Sequence, residues 1–231
     1  MKKLLLASAA ALMLLPVAAK ADTFQADSFS QPNGAQNVTL TLGPLSKTVS
    51  AGEVNLHQNI PALDVLVWCL DLQDNLFVPY TYNVSMYTPG QNLPGLPAGG
   101  LDAAQVRQIA SLILKGLTLG GADAGQDDAA TQLAIWKVEY GSALSFSGLS
   151  ASLQNRLNLE LADSVAGGIL DCPTCTLKIF SDDVVAPNQA MATVVNTVPG
   201  PVAGAGIPGA IAAGMFMLGL ARRRKNQVAN G

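Results

Sequence analysis

Histidine is nearly missing from this chain of 231 residues: His57 is the only one. A cysteine hydrolase would have to take it as the base, with Asp64 or Asp71 to orient the ring. Its neighbours, Asn55-Leu56-His57-Gln58-Asn59, read as a polar loop instead. Cysteine is scarce too, with three residues. A structural zinc site wants two Cys-x-x-Cys pairs and here there is one, so no metal is implied, nor any cofactor. Positive charge is thin: 13 Lys and Arg against 16 Asp and Glu give a net charge of −3. No basic patch is interleaved with aromatics, which excludes nucleic acid as a partner.

What is present at the two ends has to be set aside before fold reasoning. Met1-Lys2-Lys3, the apolar run Leu4 to Val17 and Ala19-Lys20-Ala21 read as a secretory signal peptide over residues 1–21. Val202 to Ala221 is an uncharged apolar span closed by Arg222-Arg223-Arg224-Lys225. About 20 such residues just cross a bilayer, with the basic cluster left on the cytoplasmic side. The glycines in the span make it a weak permanent anchor and a better temporary one. Residues 22–198 remain as one exported domain.

Three cysteines in an exported protein leave one over. Cys172-Pro173-Thr174-Cys175 can close a local structural disulfide, worth only about 2 kcal/mol for so small a loop. A thioredoxin-like pair would open a helix, whereas Thr176-Leu177-Lys178-Ile179-Phe180 reads as a strand. Cys69 is the odd residue.

Along the mature chain, residues 22–34 are polar and turn-rich and read as a mobile leader. Val38 to Leu42, a Gly43-Pro44 turn and Lys47 to Val49 read as a hairpin. Leu63 to Leu72 reads as a strand covered on both faces, with Phe77 to Tyr87 as its hairpin neighbour. Asp102 and Gln105 form a capping box for a helix that Gly116 ends. A second helix carries Gln132, with Asp127 and Asp128 placed to cap and charge-balance its first turn and Gly141 to end it. Asp123, Asp127 and Asp128 lack the bidentate Glu and the turn glycine of a calcium loop. Leu149, Leu153, Leu157 and Leu161 mark a third helix from about Ser150 to Val165, and strands return at Leu177–Phe180 and Ala190–Val195. The order predicts an α+β fold, an antiparallel β-sandwich or barrel with an inserted helical subdomain.

Gln132 is the anomaly. Leu133, Ala134, Ile135, Trp136, Val138 and Tyr140 leave its helix no wet face, and an unpartnered buried amide costs roughly 2 to 7 kcal/mol. A core glutamine bonded to backbone would satisfy it, and a buried free cysteine is ordinary. Taken together, however, Trp68-Cys69-Leu70-Asp71 followed by Thr131-Gln132-Leu133-Ala134-Ile135-Trp136 resembles the thioester (TQXA) domains of bacterial surface adhesins. The resemblance covers about Leu63 to Gly141. It implies an internal thioester between the Cys69 sulfur and the Gln132 acyl carbon, formed with loss of ammonia, with Trp68, Asp71, Thr131 and Trp136 around it. Burial and Asp71 should raise the Cys69 pKa and make formation slow, and the apolar shell should keep water off the bond.

The C-terminus resembles a PEP-CTERM sorting signal: Val198-Pro199-Gly200-Pro201, the apolar span and Arg222, Arg223 and Arg224. Gly200 stands where the family motif has Glu. This resemblance implies a Gram-negative surface or matrix location, transient anchoring in the inner membrane and cutting by an exosortase-like enzyme; the alternative is an ordinary tail anchor. Two functional expectations result. One is a non-enzymatic surface protein that captures an amine- or hydroxyl-bearing partner through its thioester. The other is a noncovalent cell-surface or exopolysaccharide-associated protein that keeps the fold without the bond.

Overall fold

In the computed structural model the described residues are 22–182 and 188–196. The signal-peptide region 1–21, the motif Val198-Pro199-Gly200-Pro201 and the 202–221 span with Arg222, Arg223 and Arg224 lie outside them. Among the described residues no helix is long and apolar enough to cross a membrane.

The hairpin predicted from residue 38 onward is β3 (Gln36–Leu42) with β4 (Leu45–Ala51), paired from Gln36↔Ala51 to Leu42↔Leu45. Its two-residue turn starts with Gly43 at φ 57°, a positive φ at the first central position that primed hairpin turns require. Val38 and Leu40 point inward while their neighbours stay wetter, the period-2 pattern of a one-sided strand. With β8 (Leu144–Ser147) on its other edge, β3 centres a three-stranded sheet.

The larger sheet has seven antiparallel strands. Its order is β1 (Asp22–Ala26), β7 (Tyr80–Met86), β9 (Cys175–Ser181), β10 (Met191–Asn196), β6 (Leu63–Cys69), β5 (Val54–Gln58) and β2 (Ser28–Ser30). The two edge strands β1 and β2 are joined through Asp27, whose N–H donates to the His57 carbonyl at 2.8 Å. One continuous stretch of chain thus lies on both edges, and the sheet is barrel-like and nearly closed. Between β7 and β9 the chain inserts α1 (Ala103–Gly116), α2 (Ala124–Tyr140) and α3 (Ala151–Ser164). The fold is α+β, a barrel-like antiparallel sheet with inserted helices, as the order of patterns predicts.

Three sequence expectations are corrected, the polar-loop reading of Asn55-Leu56-His57-Gln58-Asn59 among them, since Val54–Gln58 is β5. Residues 22–34 are not a bare leader, because Phe24 and Ala26 are buried and β1 pairs with β7 from Asp22↔Val84 to Ala26↔Tyr80. Two apolar residues among polar ones are too short a signal for a strand. Nor is β7 the neighbour of β6, which instead lies between β5 and β10. Asn55, His57 and Gln58 disguise β5, whose alternate residues Val54 and Leu56 are buried.

Helices α1 and α3 carry their expected ends, whereas the cap expected of Asp127 and Asp128 is absent: α2 starts at Ala124, and its N-cap residue Asp123 makes no side-chain capping hydrogen bond. Asp102 accepts from Ala104 N and Gln105 N while the Gln105 side chain accepts from Asp102 N, the full capping box. Ser150 caps α3 through Leu153 N. For α2, Gly141 at φ 58° closes the C-terminus. Its acidic first turn is used in ion pairs, with Arg156 bridging Asp123 and Asp127, while Asp128 accepts from Asn33 Nδ2 at 2.9 Å.

Candidate functional site

Strand β6 sinks into the core over its last residues, Val67, Trp68 and Cys69. On one edge it pairs with β10 as far as Met191↔Cys69, and Leu70 N continues to Ala190 O at 2.9 Å. On the other edge β5 reaches only Val54↔Val67. Cys69 therefore presents its N–H and C=O to a side on which no strand follows. Gln132 fills that place from α2. Cys69 N donates to Gln132 Oε1 at 2.9 Å, and Gln132 Nε2 donates to Cys69 O at 2.7 Å. A primary carboxamide has the same donor and acceptor as a peptide group, so one side chain stands in for a ladder partner. Gln132 is 0 % exposed, and this clamp is what satisfies its amide.

The sulfur faces elsewhere. Cys69 Sγ donates to Gln189 Oε1 at 3.0 Å, and Gln189 Nε2 donates to Asp71 O at 2.8 Å. Cys69 is a free, buried cysteine. Burial first, then the nearby Asp71 and Glu139 charges, pushes its thiol up to about 12, with Lys47 acting in the opposite direction. A cavity of about 370 Å³ reaches the site, lined among others by Cys69, Gln189, Trp136, Lys47, Asp74 and Asn75. Its size lies within the range of small-molecule sites.

The remaining expected residues surround the clamp. Trp68 is fully buried and packs on the end of α1, where a Cβ on Gly116 would lie 2.5 Å from Trp68 Cζ2. Thr131 and Trp136 are buried beside Gln132 on α2. Thr131 Oγ1 and the two indole N–H groups have no hydrogen-bond partner among the described residues. Asp71 braces the turn after β6, its Oδ1 accepting from Gln73 N at 2.6 Å and Asp74 N at 3.4 Å. Its carboxyl rests on Gly95, where a Cβ would meet Cγ at 2.1 Å. Desolvation, the largest cause, raises Asp71 to about 6. Cys172 and Cys175 are disulfide-bonded at the start of β9, apart from this cluster.

Two participants escaped sequence reasoning. Gln189 lies in a short polar stretch before β10, where no pattern marks it. Glu139 had a usable signal, since it falls seven residues after Gln132 and so on the same face of the helix. It is 4 % exposed, neither of its oxygens has a partner among the described residues, and burial and then Asp71 raise its pKa well above the usual carboxylate range.

His57 is not in the site. It pairs with Asp64 across β5 and β6 at 2.6 Å. Cys69 lies five residues further along β6, roughly 17 Å away at the strand rise.

Comparison of the chain with protein-family models, with characterised proteins and with solved structures finds no match.

Proposed function

We propose that this chain is an exported surface or matrix protein that forms an internal thioester between Cys69 and Gln132 and uses it to capture a partner nucleophile. The observation that carries the reading is the clamp between the Gln132 carboxamide and the main chain of Cys69. When the thiol turns from Gln189 onto the Gln132 acyl carbon, Cys69 N–H is already placed on the oxygen that becomes anionic, as an oxyanion donor is. The nitrogen that must leave is held by the Cys69 carbonyl. The C–S bond forms and the C–N bond breaks. The thiol proton ends on nitrogen, which departs as ammonia.

A thiol pushed up to about 12 is a slow nucleophile at neutral pH. A bond made once per molecule tolerates that. The closed apolar surroundings of Trp68, Ile135 and Trp136, all at most 2 % exposed, protect the acyl group from water. The cavity at Cys69 admits the tip of an amine- or hydroxyl-bearing surface molecule, protein or polysaccharide. That nucleophile takes the Gln132 acyl group and releases the thiol.

The terminal segments complete the proposal: export by the signal peptide, transient anchoring in the inner membrane of a Gram-negative cell, and release by an exosortase-like enzyme. A second reading, the noncovalent surface protein, is favoured by one observation. Gln132 is fully hydrogen-bonded without the covalent bond, and the thiol points at Gln189. Intact-mass measurement separates the two. The thioester reading expects a mature chain one ammonia lighter than its sequence and disulfide require, with Cys69→Ala and Gln132→Ala each restoring the full mass. A full-mass wild-type chain whose Cys69 alkylates quantitatively after unfolding leaves the noncovalent reading.

A further inference from the structure

We propose that Gln189 is a positioning residue that holds the Cys69 sulfur in its released, protonated state and so biases acyl exchange toward the opened form. The inference rests on the thioester reading and adds to it a residue that neither motif contains. Gln189 is held through both its side chain and its main chain. Its Nε2 donates to Asp71 O at 2.8 Å, and its main-chain N–H donates to Asn75 O at 3.2 Å and to Asn188 Oδ1 at 3.1 Å. Asn188 is itself held by Phe77, whose N–H donates to Asn188 Oδ1 at 3.0 Å. The Gln189 carbonyl is thereby left aimed at the sulfur, at 3.0 Å. Gln189 also lines the cavity through which the nucleophile enters.

The consequence follows from the states of the sulfur. In the opened form Cys69 carries S–H and donates to Gln189. In the thioester the sulfur has no proton and the contact has no donor. An interaction present in one state only shifts the exchange toward that state, here thioester plus ammonia toward thiol plus primary amide. In this exchange the C–S bond breaks and a C–N bond forms. One ammonia proton passes to sulfur. The bond at stake is a single buried hydrogen bond, so the shift is roughly three- to tenfold.

The test uses the full chain at fixed pH across a series of ammonium chloride concentrations, reading by intact mass the ratio of thioester to amide form. Gln189→Leu should raise that ratio roughly three- to tenfold. Gln189→Glu keeps an oxygen acceptor at the sulfur and should lower it or leave it at the wild-type value. Both variants lose the donor to Asp71 O, so a merely structural role would move them in the same direction, and that result overturns the proposal. A Gln189→Leu ratio within twofold of wild type overturns it as well. The sulfur contact has its own readout in the Gln132→Ala chain, where the infrared S–H stretch of the one free thiol should move to higher frequency on adding Gln189→Leu. An unmoved band refutes the contact. If the band moves but no chain loses ammonia, the thioester reading has failed and the bias on exchange falls with it.

Discussion

The clamp can be tested without any thioester. In a Cys69→Ala background the sulfur is gone while the main-chain N–H and C=O of residue 69 remain, so the hydrogen bonds of 2.9 and 2.7 Å to Gln132 stay possible. Adding Gln132→Leu in that background removes both partners at once and leaves a buried donor and a buried acceptor unpaired. Each such group costs about 1–3 kcal/mol, giving about 2–6 kcal/mol for the pair. The leucine recovers part of this, because the apolar pocket no longer has to desolvate an amide. A net loss of about 2–4 kcal/mol is expected. With a urea dependence of about 2 kcal/mol per molar, the unfolding midpoint should fall by about 1–2 M. Gln132→Glu in the same background is the control. A protonated carboxyl keeps an acceptor and a donor, so its midpoint should approach that of the parent in acid and fall as the group ionises in a buried site. A Gln132→Leu midpoint within about 0.25 M of the parent would refute the argument, because the clamp would then contribute nothing.

Stability should also fall as pH rises. Asp71 sits at about 6 when folded, and burial and then Asp71 hold Glu139 well above the ordinary carboxylate range, so both lie above the unfolded carboxylate values of about 4. The native state therefore binds more protons than the unfolded state across that interval. Their contribution is complete below about pH 4 and is lost through about pH 6 and beyond, by up to about 1.4 kcal/mol per pH unit for each group. Urea titrations from about pH 4 to about pH 8 should show the decline, and Glu139→Gln should reduce it; a profile unchanged by that substitution would contradict the assignment. Finally, a chain that has captured methylamine should unfold at lower urea than its primary-amide form, by an amount similar to the Gln132→Leu effect.

The three helices and the β3–β4 hairpin were legible because they carry their own punctuation, namely Gly43-Pro44, the Asp102/Gln105 capping box, Gly141 and the four-residue leucine spacing of α3, whereas the short strands β1, β2, β5 and β8 carry none. The expected place of Gln132 beside Cys69 was legible only because the two motifs were taken together, for neither residue is unusual alone. Strand neighbours were not legible. Adjacency of β6 to β10 depends on a return of the chain more than a hundred residues later, and local pattern carries no information about it. The same long-range return delivers Gln189, which explains why a residue in direct contact with the sulfur had no trace in the sequence near Cys69. Asp71 anchors the turn that follows β6. Its hydrogen bonds to Gln73 and Asp74 supply the brace, while its buried second oxygen keeps no partner among the described residues.

Under the proposed thioester chemistry the clamp would make capture directional, for a reason of amide stereochemistry. Gln132 meets the N–H and C=O of one residue, so its oxygen and the donating N–H must face the same way. A primary amide has a hydrogen on that side. A trans N-substituted amide has its substituent there instead, and the cis form that would restore the hydrogen costs about 2.5–4 kcal/mol. After capture of an amine, Gln132 therefore cannot return to the main chain of Cys69 without that cost or a clash with the Cys69 carbonyl, and an ester formed with a hydroxyl has no hydrogen to donate at all. The groups that would assist re-attack by sulfur, the oxyanion donor and the acceptor on the leaving nitrogen, are lost together with the clamp. Ammonia alone regenerates the starting geometry. Under that proposal, the arrangement that would assist closure of the bond from a primary amide would withhold the same assistance from its reversal once a larger nucleophile had been taken.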